Sequence, residues 1–118
     1  MISLLGFPAK VIAEPLKIVS KEEIKVYAFK RVLETWGSKQ WDYFDRIIEK
    51  ESRWNSKAQN PNSTAFGLAQ FLDSSWITVG CKKTSNEYTQ IDCAIKYIDK
   101  RYGTPEKALA HHLKVNWY

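Results

Sequence analysis

The sequence predicts one compact domain made mostly of α-helices. Apolar residues recur at helical spacing in several stretches, whereas the strict apolar–polar alternation of a half-buried strand is nearly absent. Helix-stopping glycines and a helix-starting proline lie between these stretches, at Gly37, Gly103 and Pro105. A length of 118 residues allows a single hydrophobic core and leaves little room for a second domain.

The first half of the chain carries the signals for two helices. Ser20 and Glu23 have the spacing of a capping box, which predicts that a first helix starts there. We expect a second helix over roughly 39–53 and an irregular loop, rich in Asn, Ser and Pro, over 55–66. The apolar face of the first helix is predicted from its spacing to be Val26, Phe29, Leu33 and Trp36.

The second half of the chain predicts further helices. One or two short helices are expected over 67–79. Thr89 is expected to cap a longer helix that ends at Gly103, and Pro105 then occupies the first position of the last helix. The apolar stripe of the longer helix is predicted to be Ile91, Ile95, Ile98 and Tyr102.

The charge balance predicts an acidic partner without identifying it. Eighteen Lys and Arg against 13 Asp and Glu give a net charge of +5, which attracts nucleic acid, anionic lipid or an acidic cell wall. The basic residues are scattered, and the sequence has neither zinc-finger spacing nor an RNA-binding signature, so nucleic acid is not the expected partner. No apolar stretch approaches the ~20 residues of a transmembrane helix.

Residues 1–19 are interpreted as an N-terminal segment that precedes the domain, which is assigned to 20–118. Small residues around Ala13 fit the cleavage rule of a signal peptide. The charged start of such a peptide is missing, however, and Pro8 and Lys10 interrupt the apolar run. The segment is therefore either an atypical signal peptide or an extension of the domain.

The two cysteines leave two alternatives. Cys81 and Cys93 do not match any metal-binding spacing. They are either free thiols that pack as small apolar side chains, or a disulfide if the protein works outside the cytoplasm.

The second helix contains one residue that breaks its apolar pattern. Its predicted stripe consists of Trp41, Phe44, Ile47 and Ile48. At about 100° per residue, the next turn places Glu51 near the middle of this stripe. In one interpretation the helix ends first, and this carboxylate turns outward or pairs with a basic neighbour. In the other it faces an apolar cleft, where desolvation raises its pKa and allows it to hold a proton for catalysis.

The residues that follow Glu51 resemble a known family. Glu51-Ser lies at a predicted helix end, an Asn/Ser/Pro-rich loop follows, and Gly67-Leu-Ala-Gln70 comes next, with Gln70 nineteen residues after the glutamate. This order resembles the soluble-lytic-transglycosylase-like domains of the lysozyme superfamily. The small phage and Gram-positive members also have a Tyr-Ile-x-x-Arg-Tyr-Gly stretch and a Trp-Tyr end, as at Tyr97–Gly103 and 117–118 here. The resemblance covers approximately residues 22–118.

The resemblance implies roles for individual residues. Glu51 matches the single catalytic acid/base of the family. Local hydrogen bonding to backbone is the alternative for Gln70, and turn formation ahead of a proline is the alternative for Asn60. The residues expected to contact the sugar chain are Ser52, Asn60, Gly67 and Gln70.

The last helix departs from the family pattern. Many members carry Ala-Tyr-Asn there, and the Tyr reaches the region of the catalytic carboxylate, but this chain has Ala110-His111-His112. His111 is expected to replace the Tyr as a hydrogen-bonding group at the substrate. His112 is interpreted as a core histidine, and because adjacent helical positions point about 100° apart, no two-histidine metal site is expected.

The resemblance implies a lysozyme-like helical fold and a reaction on peptidoglycan glycan strands outside the cytoplasm. The expected enzyme is a monomeric lytic transglycosylase that cleaves the β-1,4 bond between N-acetylmuramic acid (MurNAc) and N-acetylglucosamine (GlcNAc) and forms 1,6-anhydro-MurNAc without metal or cofactor. One alternative is a lysozyme-type hydrolase with a second carboxylate, for which Asp73 and Glu87 are the candidates. The others are a catalytically silent wall-binding or virion structural module and, from the charge alone, a nucleic-acid-binding domain.

Overall fold

The computed structural model describes residues 18–115 of the chain. Helices account for 64% of these residues and none of them belongs to a strand, which confirms the mostly α prediction. The predicted N-terminal segment up to residue 17 and the Trp117-Tyr118 end lie outside the described residues. The helices are α1 (Lys21–Trp36), α2 (Trp41–Ser52), α3 (Asp73–Thr78), α4 (Glu87–Arg101) and α5 (Pro105–Val115), with a short 3-10 helix at Ser38–Gln40.

α1 begins at the predicted capping box. The Ser20 hydroxyl accepts a hydrogen bond from the backbone N–H of Glu23 at 3.1 Å. The Glu23 carboxylate in turn accepts one from the backbone N–H of Ser20 at 3.2 Å. These two bonds satisfy backbone donors that the first turn of a helix otherwise leaves unpaired.

The apolar face predicted for α1 is wrong. Val26 is 57% exposed, although it lies on that face. Tyr27 and Arg31 hydrogen-bond the Asp92 carboxylate of α4, so α1 is rotated to present a neighbouring stripe to the core. The buried residues of that stripe are Ile24, Ala28 and Val32.

α2 and α5 pack against each other. The backbone N–H of Glu106, in the first turn of α5, donates to the Gln40 side-chain oxygen at 2.9 Å, just before α2 begins. Pro105 is the first residue of α5 and is buried, as the sequence predicts for a helix-starting proline. This arrangement places the C-terminal halves of the two helices, which carry the candidate site, beside each other.

α4 starts at a different cap from the predicted one. The Asn86 side chain accepts a hydrogen bond from the backbone N–H of Thr89 at 2.9 Å, so the N-cap is Asn86 and Thr89 lies inside the first turn. Three residues of the predicted apolar stripe, Ile91, Ile95 and Ile98, are buried, whereas Tyr102 lies at the C-cap and is half-buried.

A disulfide bond joins Cys81 to Cys93, which decides between the two alternatives for the cysteines. It links the segment after α3 to the first half of α4. A cross-link that closes a short loop stabilises the fold mainly by restricting the unfolded chain.

The buried side-chain amide of Gln90, in α4, holds the irregular loop between α2 and α3 in place. Gln90 accepts a hydrogen bond from the backbone N–H of Leu68 at 2.7 Å and donates to the carbonyls of Ser56 and Thr84, both at 2.9 Å. Gly67 lies so close to this side chain that an added Cβ would be 2.8 Å from the Gln90 oxygen. The glycine is therefore required by the packing of the turn as well as by its φ of +88°.

Candidate active site

Glu51 lies where the apolar pattern of α2 predicts it. Phe44, Ile47 and Ile48 on the same stripe are completely buried. The Glu51 side chain is only 17% exposed, whereas Glu49, two residues earlier, faces solvent. The carboxyl group is therefore held at the edge of the core and does not extend into water.

The backbone after Glu51 turns sharply. α2 ends at Ser52, and Arg53 and Trp54 both adopt left-handed conformations with φ of 53° and 61°. Such conformations are unfavourable for residues other than glycine and persist where the surroundings impose them. Here the surroundings act on Trp54, which is 1% exposed and donates its indole N–H to the Asp45 carboxylate at 2.8 Å. The buried Trp54 thus fixes the helix end immediately after Glu51.

The Glu51 carboxyl is hydrogen-bonded to His112 of α5. The Nε2 atom of His112 lies 2.8 Å from Oε2 of Glu51, and the His112 side chain is 10% exposed. Burial raises the pKa of Glu51 above its ordinary value, while the charge and the hydrogen bond of His112 lower it in part. The net upward direction favours a carboxyl group that retains its proton at higher pH than an exposed glutamate does.

His112 is a site residue that the sequence prediction missed. It is buried, as a core histidine should be, but its partner is the candidate acid. A signal was present: His112 continues the buried stripe of α5 that includes Ala108 and Leu109. An ionisable residue within an apolar stripe is the same anomaly that singled out Glu51.

Gln70 lies in the tight turn that precedes α3. Its backbone is left-handed, with φ of 52°. Its side-chain NH₂ group donates to the carbonyls of Ala58 and Gly67, each at 2.9 Å. The local hydrogen bonding considered as the alternative for Gln70 is therefore present. The side-chain oxygen makes no hydrogen bond within the described part of the chain and retains the capacity to accept one.

Two adjoining cavities lie beside Gln70, with volumes of about 170 and 310 Å³. Gln70 lines the smaller one. The Arg101 guanidinium, which donates to the Tyr97 hydroxyl at 2.7 Å, lines both. The residues shared by the two cavities are Ser74, Ser75, Tyr97 and Arg101.

His111 of α5 contacts the end of α4. Its Nδ1 atom lies 3.3 Å from the Tyr102 hydroxyl, and the Arg101 guanidinium lies 5.5 Å from the centre of the Tyr102 ring. The contacts of His111 therefore lead to Arg101 in the wall of the cavities, whereas Glu51 and His112 line neither cavity.

The remaining predicted site residues are engaged locally. The Ser52 hydroxyl is buried and donates to the Ile48 carbonyl at 3.3 Å. The Asn60 side-chain oxygen accepts from the backbone N–H of Asn62 at 2.8 Å, which is the turn-forming role considered as its alternative. Gly67 approaches the Gln90 side chain. Contacts of these residues with substrate stay predictions.

The segments that carry the candidate site match a known protein family. Residues 34–114 match the family model described as the transglycosylase SLT domain. The chain belongs to this family. The match confirms the resemblance inferred from the Glu-Ser, Gly-Leu-x-Gln and Tyr-Ile-x-x-Arg-Tyr-Gly segments, and members of the SLT family are lytic transglycosylases that act on peptidoglycan. Neither the curated proteins nor the solved structures yield a match to the chain.

The SLT match includes both Glu51 and His112, whereas most of α1 precedes it. Over residues 18–115, none of the helices has the length and apolar character needed to cross a membrane. Within the same residues, no group of His, Cys, Asp and Glu side chains is arranged to hold a metal ion.

Proposed function

We propose that this SLT-family protein is a peptidoglycan lytic transglycosylase with Glu51 as its single general acid and base. The observation that carries the proposal is the placement of Glu51: a nearly buried carboxyl group at the end of an apolar helix stripe, with its pKa raised by burial. A glycosidase acid needs this environment because it must hold a proton near neutral pH and release it to the leaving oxygen.

The proposed reaction conserves every atom of the glycan. Protonated Glu51 donates its proton to the β-1,4 glycosidic oxygen while the bond from that oxygen to the MurNAc anomeric carbon breaks. The 6-hydroxyl oxygen of the same MurNAc then bonds to the anomeric carbon, and its proton passes to the Glu51 carboxylate. The products are a GlcNAc hydroxyl end and a 1,6-anhydro-MurNAc end, and Glu51 regains its starting state without consuming water.

One carboxylate suffices in this scheme because the sugar provides its own nucleophile, unlike the two-carboxylate scheme of most glycosidases. The two candidates for a second carboxylate have other partners. Asp73 forms an ion pair with Lys83 at 3.1 Å, and Glu87 accepts a hydrogen bond from the Ser56 hydroxyl at 3.4 Å. These contacts favour the transglycosylase over the lysozyme-type hydrolase.

The glycan is proposed to lie along the cavities beside Gln70. The Gln70 side-chain oxygen would accept a hydrogen bond from a sugar hydroxyl or N-acetyl N–H, while its NH₂ group keeps the turn closed. His111, which precedes His112 on α5, is proposed to contact the glycan as well. Ser52, Asn60 and Gly67 contribute mainly by shaping the turns on which the groove depends.

The substrate places the proposed activity outside the cytoplasm, in the periplasm or cell wall or on a virion. The disulfide bond is consistent with an oxidising compartment, and the net charge of +5 favours binding to an acidic wall. The domain that carries the activity is proposed to be 20–118, preceded by the segment 1–19, and to act as a monomer.

The products of digestion test the proposal. Purified sacculi are digested with the parent protein in water enriched in heavy oxygen, and the released muropeptides are analysed by mass spectrometry. We expect anhydro ends, each lighter by one water than a reducing end, without incorporation of heavy oxygen. Reducing ends that carry heavy oxygen would identify a hydrolase. Intact sacculi, together with retained wall binding, would identify a silent wall-binding module.

A further inference from the structure

We propose that His112 is a positioning residue for the catalytic acid: its ring holds one oxygen of the Glu51 carboxyl and leaves the other to the substrate. This inference rests on the proposed role of Glu51. The two groups approach to 2.8 Å between Nε2 and Oε2, although 61 positions separate them in sequence. With side-chain exposures of 10% and 17%, the contact is largely protected from competing water.

The surroundings fix the His112 ring in place. His112 follows Ala108 and Leu109 on the buried side of α5, so the ring is packed between helices and cannot rotate into solvent without breaking that packing. α5 is also tied to the start of α2 by the hydrogen bond from Glu106 to Gln40. α2 and α5 are thus connected near their N-terminal ends by this bond and in their C-terminal halves by the contact between Glu51 and His112.

The contact has a consequence for where the acid carries its proton. When a neutral imidazole donates its Nε2–H to Oε2, that oxygen acts as the acceptor and the proton of the carboxylic acid resides on Oε1. Within residues 18–115, Glu51 makes no hydrogen bond other than the one to His112. Oε1 is then the atom that donates to the glycosidic oxygen and later accepts the proton of the 6-hydroxyl.

Titratable groups at the end of α4 contact His111, the residue that precedes His112 on α5. His111 lies against Tyr102, whose ring is next to the Arg101 guanidinium. The influences on the pKa of Glu51 are its burial, then the charge of His112, then the hydrogen bond from His112. His112 is therefore the side chain whose replacement should change the protonation and orientation of the acid most directly.

The kinetic test uses two substitutions that preserve the volume of the side chain. His112→Leu fills the space but removes the hydrogen bond, and we expect kcat to fall about 10- to 100-fold with KM nearly unchanged, because the acid is no longer held. The alkaline limb of the pH–activity profile should move to higher pH, since the group that lowers the pKa of Glu51 is gone. His112→Gln, which has an N–H donor, should restore most of kcat.

The exposed neighbour Leu113 provides the matched control. Leu113→Gln should keep the parent kcat and pH profile. If folded His112→Leu has the kcat and pH profile of the parent while Glu51→Gln is inactive, His112 does not position the acid, and the proposed function stands without it. An equal loss of kcat in His112→Leu and His112→Gln, with both pH profiles unchanged, would also overturn the inference.

A second readout does not depend on activity and remains informative if a His112 variant fails to fold. The nitrogen NMR signals of His112 are compared between the parent and Glu51→Gln. We expect the Nε2–H signal, held by the carboxyl, to change in chemical shift and to exchange faster with solvent in the variant. Unchanged His112 signals would overturn the inference. Changed signals in a Glu51→Gln protein that still cleaves glycan would instead overturn the proposed function.

Discussion

The carboxylates of Asp92 and Glu51 each join a pair of helices, and they do so in different ways. Asp92 of α4 accepts hydrogen bonds from the Tyr27 hydroxyl at 2.9 and 3.1 Å and from the Arg31 guanidinium at 3.0 Å, and its side chain is 40% exposed. Glu51 of α2 is 17% exposed and is bonded to His112 of α5. The first carboxylate is solvated and multiply bonded; the second is nearly dry and bonded through one oxygen.

Under the proposed function, Asp92 is a structural carboxylate and Glu51 a chemical one. Arg31 carries a permanent charge and provides a fixed partner, so the Asp92 contact sets the rotation of α1 against α4. A histidine partner carries no permanent charge, so under the proposed function the Glu51 carboxyl can release its proton and take it back. Proton transfer requires an acid that no permanent cation holds in the ionised form.

The largest expected effect is on activity, where replacing the two carboxylates should have different results. Glu51→Gln should slow the clearing of purified wall suspensions by roughly 10²- to 10⁴-fold, the usual contribution of a general acid–base group. Asp92→Asn and the exposed control Glu49→Gln should clear walls within about twofold of the parent rate. If Glu51→Gln clears walls as fast as the parent, Glu51 is not the catalyst.

The next effect concerns the stability of the part of the molecule that contains Asp92. The disulfide bond attaches to α4 at Cys93, one residue after Asp92. Replacing Cys81 and Cys93 together by alanine should lower the free energy of unfolding by about 2–3 kcal/mol, measured by urea denaturation. Wall clearing at low temperature should be preserved, because neither cysteine contacts Glu51 or His112. An unchanged unfolding free energy would show that the cross-link does not stabilise α4.

Asp92→Asn should then show a smaller loss of stability. Removing the charge weakens the hydrogen bonds from Tyr27 and Arg31, and partial solvent exposure limits the cost to about 1 kcal/mol in urea denaturation. Glu34→Gln is the control, since Glu34 is 66% exposed and contacts Arg31 on the same helix. Equal stability of the two variants would argue that Asp92 does not fix α1 against α4.

The smallest effect is a pH-dependent difference in stability between Glu51→Gln and the parent. Because the folded-state pKa of Glu51 is raised, its protonated form stabilises the parent below the unfolded-state pKa, and this contribution is lost as pH rises through the folded-state pKa. Glu51→Gln should therefore gain stability relative to the parent as the pH rises from acid to neutral. Thermal melting across this range measures the difference, and an opposite trend would indicate a lowered pKa.

The sequence predicted the elements whose signals are local. The capping box at Ser20, the stripe of α2 with Glu51 in its last turn, and Pro105 at the start of α5 are all confirmed. These features depend on backbone geometry and on spacing within one helix, so neighbouring residues suffice to read them. The family resemblance, carried by short motifs, is confirmed by the match over residues 34–114.

Predictions that depend on contacts between distant segments were less successful. The face of α1 is decided by Tyr27 and Arg31, which contact Asp92 more than 60 positions later, and helical spacing within α1 carries no information about that contact. The cap of α4 was misplaced because Asn86 and Thr89 are both good capping residues. His112 was correctly predicted to be buried, but its contact with Glu51 was missed because spacing within α5 does not show which residue of α2 it meets.

The direct test of the account is the titration of the Glu51 carboxyl itself. The protein is labelled with carbon-13 at the side-chain carboxyl of glutamate, and the signal of Glu51 is identified by its absence from Glu51→Gln. We predict a titration midpoint above 4.5, the ordinary value for a glutamate side chain, because the group is buried between α2 and α5. A midpoint at or below that value would contradict the claim that a desolvated carboxyl is the acid of this protein.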